Sequence, residues 1–211
     1  LLCTMNVTVA TEMVRRDFKL DHAAFEKAAS RAPAGSDGLL LLPYLEGERT
    51  PNTPDGTGVF FGVRPRTFTA AHFARASMEG VTLGMNYGLL RLAELGVRAR
   101  QVRATGGGAN SRLWRQIMAD VFEAEVVTLK VGEGAAFGAA LQALWCWRLS
   151  KGERVDIESI TDAFVKLNTA ETATPDPKAR EVYRELQALQ NELGRSLRPA
   201  FSHHRRFLAG R

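Results

Sequence analysis

The sequence predicts an α/β domain of layered type, and three observations carry that expectation. Short apolar runs alternate with longer stretches of helical period, the order that builds a sheet flanked by helices. Strand-like and helix-like stretches meet at glycines, at Gly106-Gly107-Gly108 and again at Gly132 and Gly134. The 211 residues are 45% hydrophobic and 24% charged, an ordinary balance for a chain that buries a sizeable core.

The elements follow in order. Residues 1–16 have no decisive period and fit the end of an element that starts upstream. The first residue is Leu1 rather than methionine, so truncation is the working expectation. Residues 21–31 read as a short helix capped by Asp21, with Ala24, Phe25 and Ala28 on one face. After a loop at 33–38, Leu39-Leu40-Leu41-Leu42 suits a buried strand. A polar loop over 46–56 leads to a strand at 58–63. Thr67 or Thr69 opens a long helix that stops near Gly96. Within it Gly80, Gly84 and Gly88 recur every four residues and line one face, where another element can approach the backbone.

Gln101-Val102-Arg103-Ala104-Thr105 reads as a strand. After the glycines, Leu113, Ile117, Val121 and Phe122 fall at helical spacing, with Trp114 and Met118 widening that face. A strand at 125–129 precedes a helix at 133–149, whose first half is small: Gly134, Ala135, Ala136, Gly138, Ala139, Ala140. Those residues let the helix lie close to a sheet. Two further helices are expected at 156–167 and 178–193. Asp176-Pro177 gives the second a cap followed by a first-turn proline, and Val182, Leu186, Leu189 and Leu193 form its inner face.

Charge narrows the function. The net charge is +5, from 28 basic and 23 acidic residues. Arg195, Arg198, Arg205, Arg206 and Arg211 crowd the last stretch without an acid, and the remaining basic residues equal the acidic ones. The body is therefore neutral, the tail reads as a solvated end, and nucleic acid is disfavoured as a partner. Cys3 and Cys146 have no metal-type spacing, which argues against a disulfide framework and for a reducing, cytoplasmic setting. No apolar run reaches membrane-spanning length, and the first ten residues lack a basic n-region, so neither a membrane span nor a signal peptide is expected.

The chemistry concentrates at 104–111. Glycine lets the backbone take φ > 0 and lets a ligand come close to the main chain. A helix that starts just beyond, capped by Asn110 or Ser111, offers unpaired N–H groups and partial positive charge. This suits a phosphate. It is neither of two familiar motifs. No Gly-Lys-Ser/Thr follows, and Ser111 stands where the dinucleotide fingerprint needs its last glycine.

The flanking motifs supply a family. Gly58-Val59-Phe60-Phe61-Gly62-Val63, then His72-Phe73, then Ala76-Ser77-Met78-Glu79 resembles the C-terminal signature of the FGGY carbohydrate kinases. Leu42-Pro43-Tyr44-Leu45-Glu46-Gly47-Glu48-Arg49-Thr50-Pro51 is similar to the loop before that signature in the xylulose kinase branch. Thr105-Gly106-Gly107-Gly108-Ala109, with Trp114, Gln116, Ala119 and Asp120, resembles the family's adenosine motif. Glu133-Gly134-Ala135-Ala136-Phe137-Gly138-Ala139-Ala140 resembles its last nucleotide-side motif. Four motifs in the family's order span residues 38–147, with weaker similarity from 21 to 193.

The resemblance implies a ribonuclease-H-like lobe of the actin and hexokinase type, a mixed sheet with flanking helices. It implies a second lobe of the enzyme, with Mg2+ and ATP as cofactors and sugar bound in the cleft between the lobes. Residues 1–37 are expected to continue from a preceding N-terminal lobe, 38–194 to form the nucleotide-binding lobe and 195–211 a basic tail. The family's phosphate loop and catalytic base belong to the N-terminal lobe, so no catalytic residue and no metal ligand is assigned in this chain. Gly106, Gly107, Gly108, Ala109, Asn110, Ser111 and Gly134 are the expected nucleotide contacts. Glu48 and Arg49 are candidates for the cleft loop, against an ordinary surface ion pair. Gln116 and Asp120 are a surface hydrogen-bond pair or a ligand contact, Glu133 a first-turn carboxylate, and His72 a capping or solvated residue. The activity implied is transfer of the ATP γ-phosphoryl to a ketopentose, D-xylulose to its 5-phosphate. The alternatives are a kinase for another sugar or polyol, or a non-catalytic nucleotide-binding half protein. Partners are the sugar, ATP and the N-terminal lobe, with a homodimer left open.

Overall fold

The computed structural model describes residues 2–210. The helix α3 (Ala70–Glu94) runs through its middle and touches α1 (Thr8–Asp17), α2 (His22–Ala29), α4 (Arg112–Phe122), α7 (Pro177–Ser196) and the strand β1 (Leu40–Pro43). From Ala74 to Gly84 every residue but Arg75 is buried. A helix enclosed in this way needs either small side chains or fully partnered polar ones.

Both kinds are present. At Gly80 an added Cβ would stand 2.4 Å from the Leu41 carbonyl oxygen, so β1 lies directly on the helix backbone. Gln190 of α7, 1% exposed, donates to the carbonyls of Leu41 and Gly80 at 3.0 and 2.9 Å and ties the three elements together. At the adjacent position, the buried Glu79 carboxylate accepts from Gly35 N, Ser36 Oγ, Arg75 Nε and Tyr183 Oη at 2.7–2.9 Å. Burial pushes Glu79 above the usual carboxylate range, against the pull of Arg75, Tyr183 and Gly35. Arg75 also donates to Ala32 O, so the 32–36 loop, α3 and α7 share one polar knot inside the apolar core.

There are two small sheets among the described residues, one lying on α3 through β1 and the other packed on α4. β1 pairs antiparallel with β2 (Gly58–Phe61), Leu41 opposite Phe60. The second sheet has the order β3-β4-β5: β3 (Gln101–Ala104) runs parallel to β4 (Glu125–Leu129), and β5 (Leu167–Ala173) antiparallel on the other side. The helices α4, α5 (Gly134–Ser150) and α6 (Ile157–Phe164) connect these strands, and α4 packs on β4 and β5. The expected mixed sheet with flanking helices is present.

Four details depart from the sequence reading. Residues 8–17 form a regular helix whose Ala10 and Val14 enter the main core. The helix expected over 156–167 ends at Phe164, and β5 follows. Its polar sequence shows no strand alternation, and its place comes from pairing with β4. The small residues expected to seat α5 close to the sheet do not do so: beyond Gly134, which meets Thr105, Ala135, Ala136, Gly138, Ala139 and Ala140 are exposed, Leu141 is the one buried residue, and the helix packs on α6. The tail expected to be solvated is a helix, α8 (Arg198–Ala209), that buries Phe201 edge-on against Tyr44, ring centroids 6.4 Å apart. Pro199 in its first turn favours the helix, and Ser202 donates to Asp55.

The contrast between two helical glycines is testable by urea unfolding. Gly80→Ala forces β1 off α3 and is expected to cost about 1–3 kcal/mol. Gly138→Ala, on α5 with open space at its Cβ position, is expected to stabilise by roughly 0.5–1 kcal/mol. Equal effects would mean that the β1 contact does not constrain Gly80.

Candidate nucleotide site

The parallel pairing of β3 and β4 sends two loops out from the carboxyl ends of neighbouring strands, the place where open α/β sheets bind ligands. The first loop holds Gly106, Gly107 and Gly108. The second runs from Lys130 to Glu133. They touch: Thr105 Oγ1 donates to Gly132 O at 3.3 Å, and a Cβ on Gly134 would stand 2.6 Å from Thr105 Oγ1. Gly134 is therefore small because the first loop crosses it.

Gly106 has φ 86° and ψ −179°, a conformation essentially restricted to glycine. The chain then makes one turn of 3₁₀ helix, Gly107–Asn110, before α4 begins. The sequence reading offered Asn110 or Ser111 as the cap of this helix and did not anticipate the 3₁₀ turn before it. Ser111 is the N-cap, its Oγ accepting from Trp114 N at 3.1 Å. Ala109 N bonds Gly106 O and Ser111 N bonds Gly108 O, and neither bond uses the N–H of Gly107 or Gly108. A Cβ on Gly106 or Gly107 would meet nothing within 4 Å, so both have open space beside them. Gly108 differs: its Cβ would stand 3.0 Å from the Trp114 ring. Its smallness answers to packing.

Two buried side chains hold the turn, and both come from α4. Trp114 lies under Gly108 and donates through Nε1 to Thr82 Oγ1 on α3 at 2.9 Å. Arg115, 5% exposed, donates to Ala109 O at 2.7 Å and pairs with Glu171 of β5 at 3.1 Å. The sequence reading assigned nothing to Arg115 or Glu171. An arginine on the inner face of an apolar helix was the available signal, but its partner sits on the strand that the sequence did not reveal.

Cavities open on both sides of the turn. One, of about 300 Å3, is lined by Gly106, Asn110, Lys130, Gly132 and Glu171 among others. The other, of about 630 Å3, lies between the turn and α1–α2 and includes Gly107, Gly108, Asn110 and Ser111. The exposed Lys130 puts an ammonium beside the first cavity, a contact the sequence reading treated only as part of a turn. Backbone N–H groups, a lysine and a serine around a glycine turn fit phosphate and ribose.

The remaining candidates fall elsewhere. Glu48 is 4% exposed, and its carboxylate accepts from Met5 N, Asn6 Nδ2 and Arg49 N, which fastens the N-terminal segment to the 44–56 loop. It makes no ion pair with Arg49, whose exposed guanidinium points to Cys3 Sγ at 3.8 Å. Neither residue lines the cavities beside the turn. Gln116 and Asp120 do bond each other, but they also hold Thr174 O and Asp176 N, so the pair anchors the β5–α7 link. His72 bonds Thr69 Oγ1 and Asp37 Oδ2 at the start of α3. Glu133 is exposed ahead of α5 and makes no side-chain cap bond. No group of three or more His, Cys, Asp or Glu among the described residues is arranged to hold a metal ion.

The clamp on the turn predicts a local effect. Arg115→Ala leaves Ala109 O and Glu171 without their partner and is expected to cost about 1–3 kcal/mol. Amide hydrogen exchange should quicken over residues 106–111 while the α3 core stays protected. Unchanged exchange at the turn would show that Arg115 does not hold it.

Known proteins share this arrangement. Residues 4–147 match the C-terminal domain of the FGGY family of carbohydrate kinases. A xylulose kinase from Haemophilus influenzae is 35% identical over 176 residues, 83% of this chain and 35% of the relative. A gluconokinase from Bacillus licheniformis is 37% identical over 174 residues, 81% of this chain and 32% of the relative. The chain thus spans about a third of the length of these relatives. Among solved structures, the xylulose kinase from Lactobacillus acidophilus superposes with a TM-score of 0.84 at 26% identity, covering 95% of this chain and 40% of that one. The xylulose kinase from Rhodospirillum rubrum gives 0.80 at 30% identity, with the same coverage. The loops, the strand order and these matches agree, and the chain belongs to the FGGY family of carbohydrate kinases, over its C-terminal domain.

Proposed function

We propose that this chain is the nucleotide-binding part of an ATP-dependent kinase that phosphorylates a ketopentose, D-xylulose, at the 5-hydroxyl. The observation that carries the reading is the contact between the triglycine turn and the 130–134 loop at the ends of two parallel strands. The xylulose kinases among the relatives support the choice of sugar.

Phosphoryl transfer asks a protein mainly for alignment and charge compensation. The N–H groups of Gly107 and Gly108 would face the nucleotide phosphates, and Lys130 would add positive charge beside them. Asn110 and Ser111 would reach ribose or adenine. Trp114 and Arg115 keep the turn rigid, so these donors need not be ordered when nucleotide arrives. Bound Mg-ATP would supply the phosphoryl group and the metal charge, and no residue here is assigned to the metal. The base for the sugar hydroxyl and most sugar contacts are assigned to an N-terminal lobe that would precede this one, with residues 1–37 as the connection. Free, exposed Cys3 and Cys146 fit a cytoplasmic setting.

A second reading, gluconate as the sugar, has a specific support in the gluconokinase relative. Assay of an enzyme carrying both lobes with D-xylulose and with D-gluconate separates the two readings by the ratio of kcat/KM.

The chain itself is expected to bind ADP weakly, at roughly millimolar Kd, because half a cleft keeps the association cost without all the contacts. Gly107→Val, which has open space for its side chain, should abolish that binding in calorimetry and leave the melting temperature nearly unchanged. Binding that survives the substitution would remove the turn from the site. The chain alone should also show no D-xylulose-dependent ADP release, since loss of a base alone costs about 10²–10⁴-fold. Sugar-dependent turnover near that of a two-lobed enzyme would refute the assignment of the base to a separate lobe.

A further inference from the structure

A cavity of about 500 Å3 opens where the 44–56 loop meets the ends of α3 and α7 and the start of α8, and it shares no lining residue with either cavity beside the turn. Arg91, Arg195 and Arg198 line it, and no carboxylate does. Arg91 lies over the Tyr87 ring at 5.1 Å and bonds Glu94, and Arg198 donates one N–H to Asn52 O. Arg195 has no carboxylate partner among the described residues.

Two hydroxyls in the same wall are unusual. Thr53 is 4% exposed, and its Oγ1 has no hydrogen-bond partner, although its backbone N and O are both bonded to Glu48. Tyr44 is 2% exposed, and its hydroxyl makes no hydrogen bond among the described residues. Gly194 in α7 lets that hydroxyl lie on the helix backbone, since a Cβ there would stand 3.1 Å from it. Burial pushes Tyr44 up to about 12, so it stays a neutral donor at ordinary pH.

An unpaired buried hydroxyl costs free energy that a ligand can recover. Guanidinium groups gathered without a carboxylate select an anion, and their fork of N–H groups matches phosphate. The volume is that of a small-metabolite site. We propose that this cavity binds a sugar phosphate, its phosphate on Arg195 and Arg198 and its hydroxyls on Tyr44 Oη and Thr53 Oγ1. The proposal stands apart from the nucleotide reading and uses none of its residues.

The test is a set of ¹H–¹⁵N titrations of the 211-residue protein with D-ribose 5-phosphate, inorganic phosphate and D-ribose. D-ribose 5-phosphate should shift the Thr53, Gly194 and Arg195 amides saturably, inorganic phosphate should bind the same place more weakly, and D-ribose should leave it unchanged. Arg195→Ala should weaken binding about tenfold or more. It should leave ADP-induced shifts at residues 106–108 intact, so failure here and failure of the nucleotide site are read separately. Thr53→Val is the sharper variant: loss of an orphan hydroxyl should hold or raise the melting temperature of the free protein while affinity for the sugar phosphate falls. Shifts confined to 106–108, equal affinity for inorganic phosphate and D-ribose 5-phosphate, or unchanged affinity in Thr53→Val would each overturn the proposal.

Discussion

A helix enclosed on all sides must lose its side chain wherever another backbone comes against it, and that constraint on α3 organises the chain. Gly80 meets β1 with no room for a methyl group, and Glu79 next to it is accepted in the core only because four donors surround its carboxylate. Gln190 closes the arrangement from α7, bonding the carbonyls of both Leu41 and Gly80. Helix α3, strand β1 and helix α7 therefore share one register, and none can slide without leaving buried polar groups unpaired.

The same helix reaches the candidate site. Thr82 lies on α3 two residues beyond Gly80, and its hydroxyl accepts from Trp114, whose ring supports Gly108. Arg115, the next residue of α4, holds Ala109 O from the other side and is itself held by Glu171 of β5. The turn offers backbone groups for contact, so it depends on these neighbours for its shape. Its position depends on strand pairing: β3 and β4 run parallel and side by side, and so the glycine turn and the 130–134 loop emerge together.

Other polar residues in these motifs serve the fold. Glu48 joins the N-terminal segment to the 44–56 loop, Gln116 and Asp120 anchor the approach to α7, and His72 bridges Thr69 and Asp37. A polar residue in a motif shared by a family is often there because a buried backbone group or a cap needs it.

The sequence by itself determined what depends on local pattern. The apolar run at Leu40–Pro43, the spacing of Gly80, Gly84 and Gly88, the Asp176-Pro177 start of α7 and the strand–glycine–helix order around Gly107 were all legible, because period and backbone preference are properties of neighbouring residues. Tertiary structure decided what depends on distant partners. β5 is a strand because β4 offers it an edge, although nothing in Leu167–Ala173 alternates. The C-terminal segment is a docked helix because Tyr44 and Leu42 give Phe201 a place to bury. Arg115 can remain inside because Ala109 O and Glu171 come to it from elsewhere in the chain. A hydrogen bond or ion pair between residues far apart in sequence leaves no periodic trace, so only the folded chain shows which buried charges are partnered.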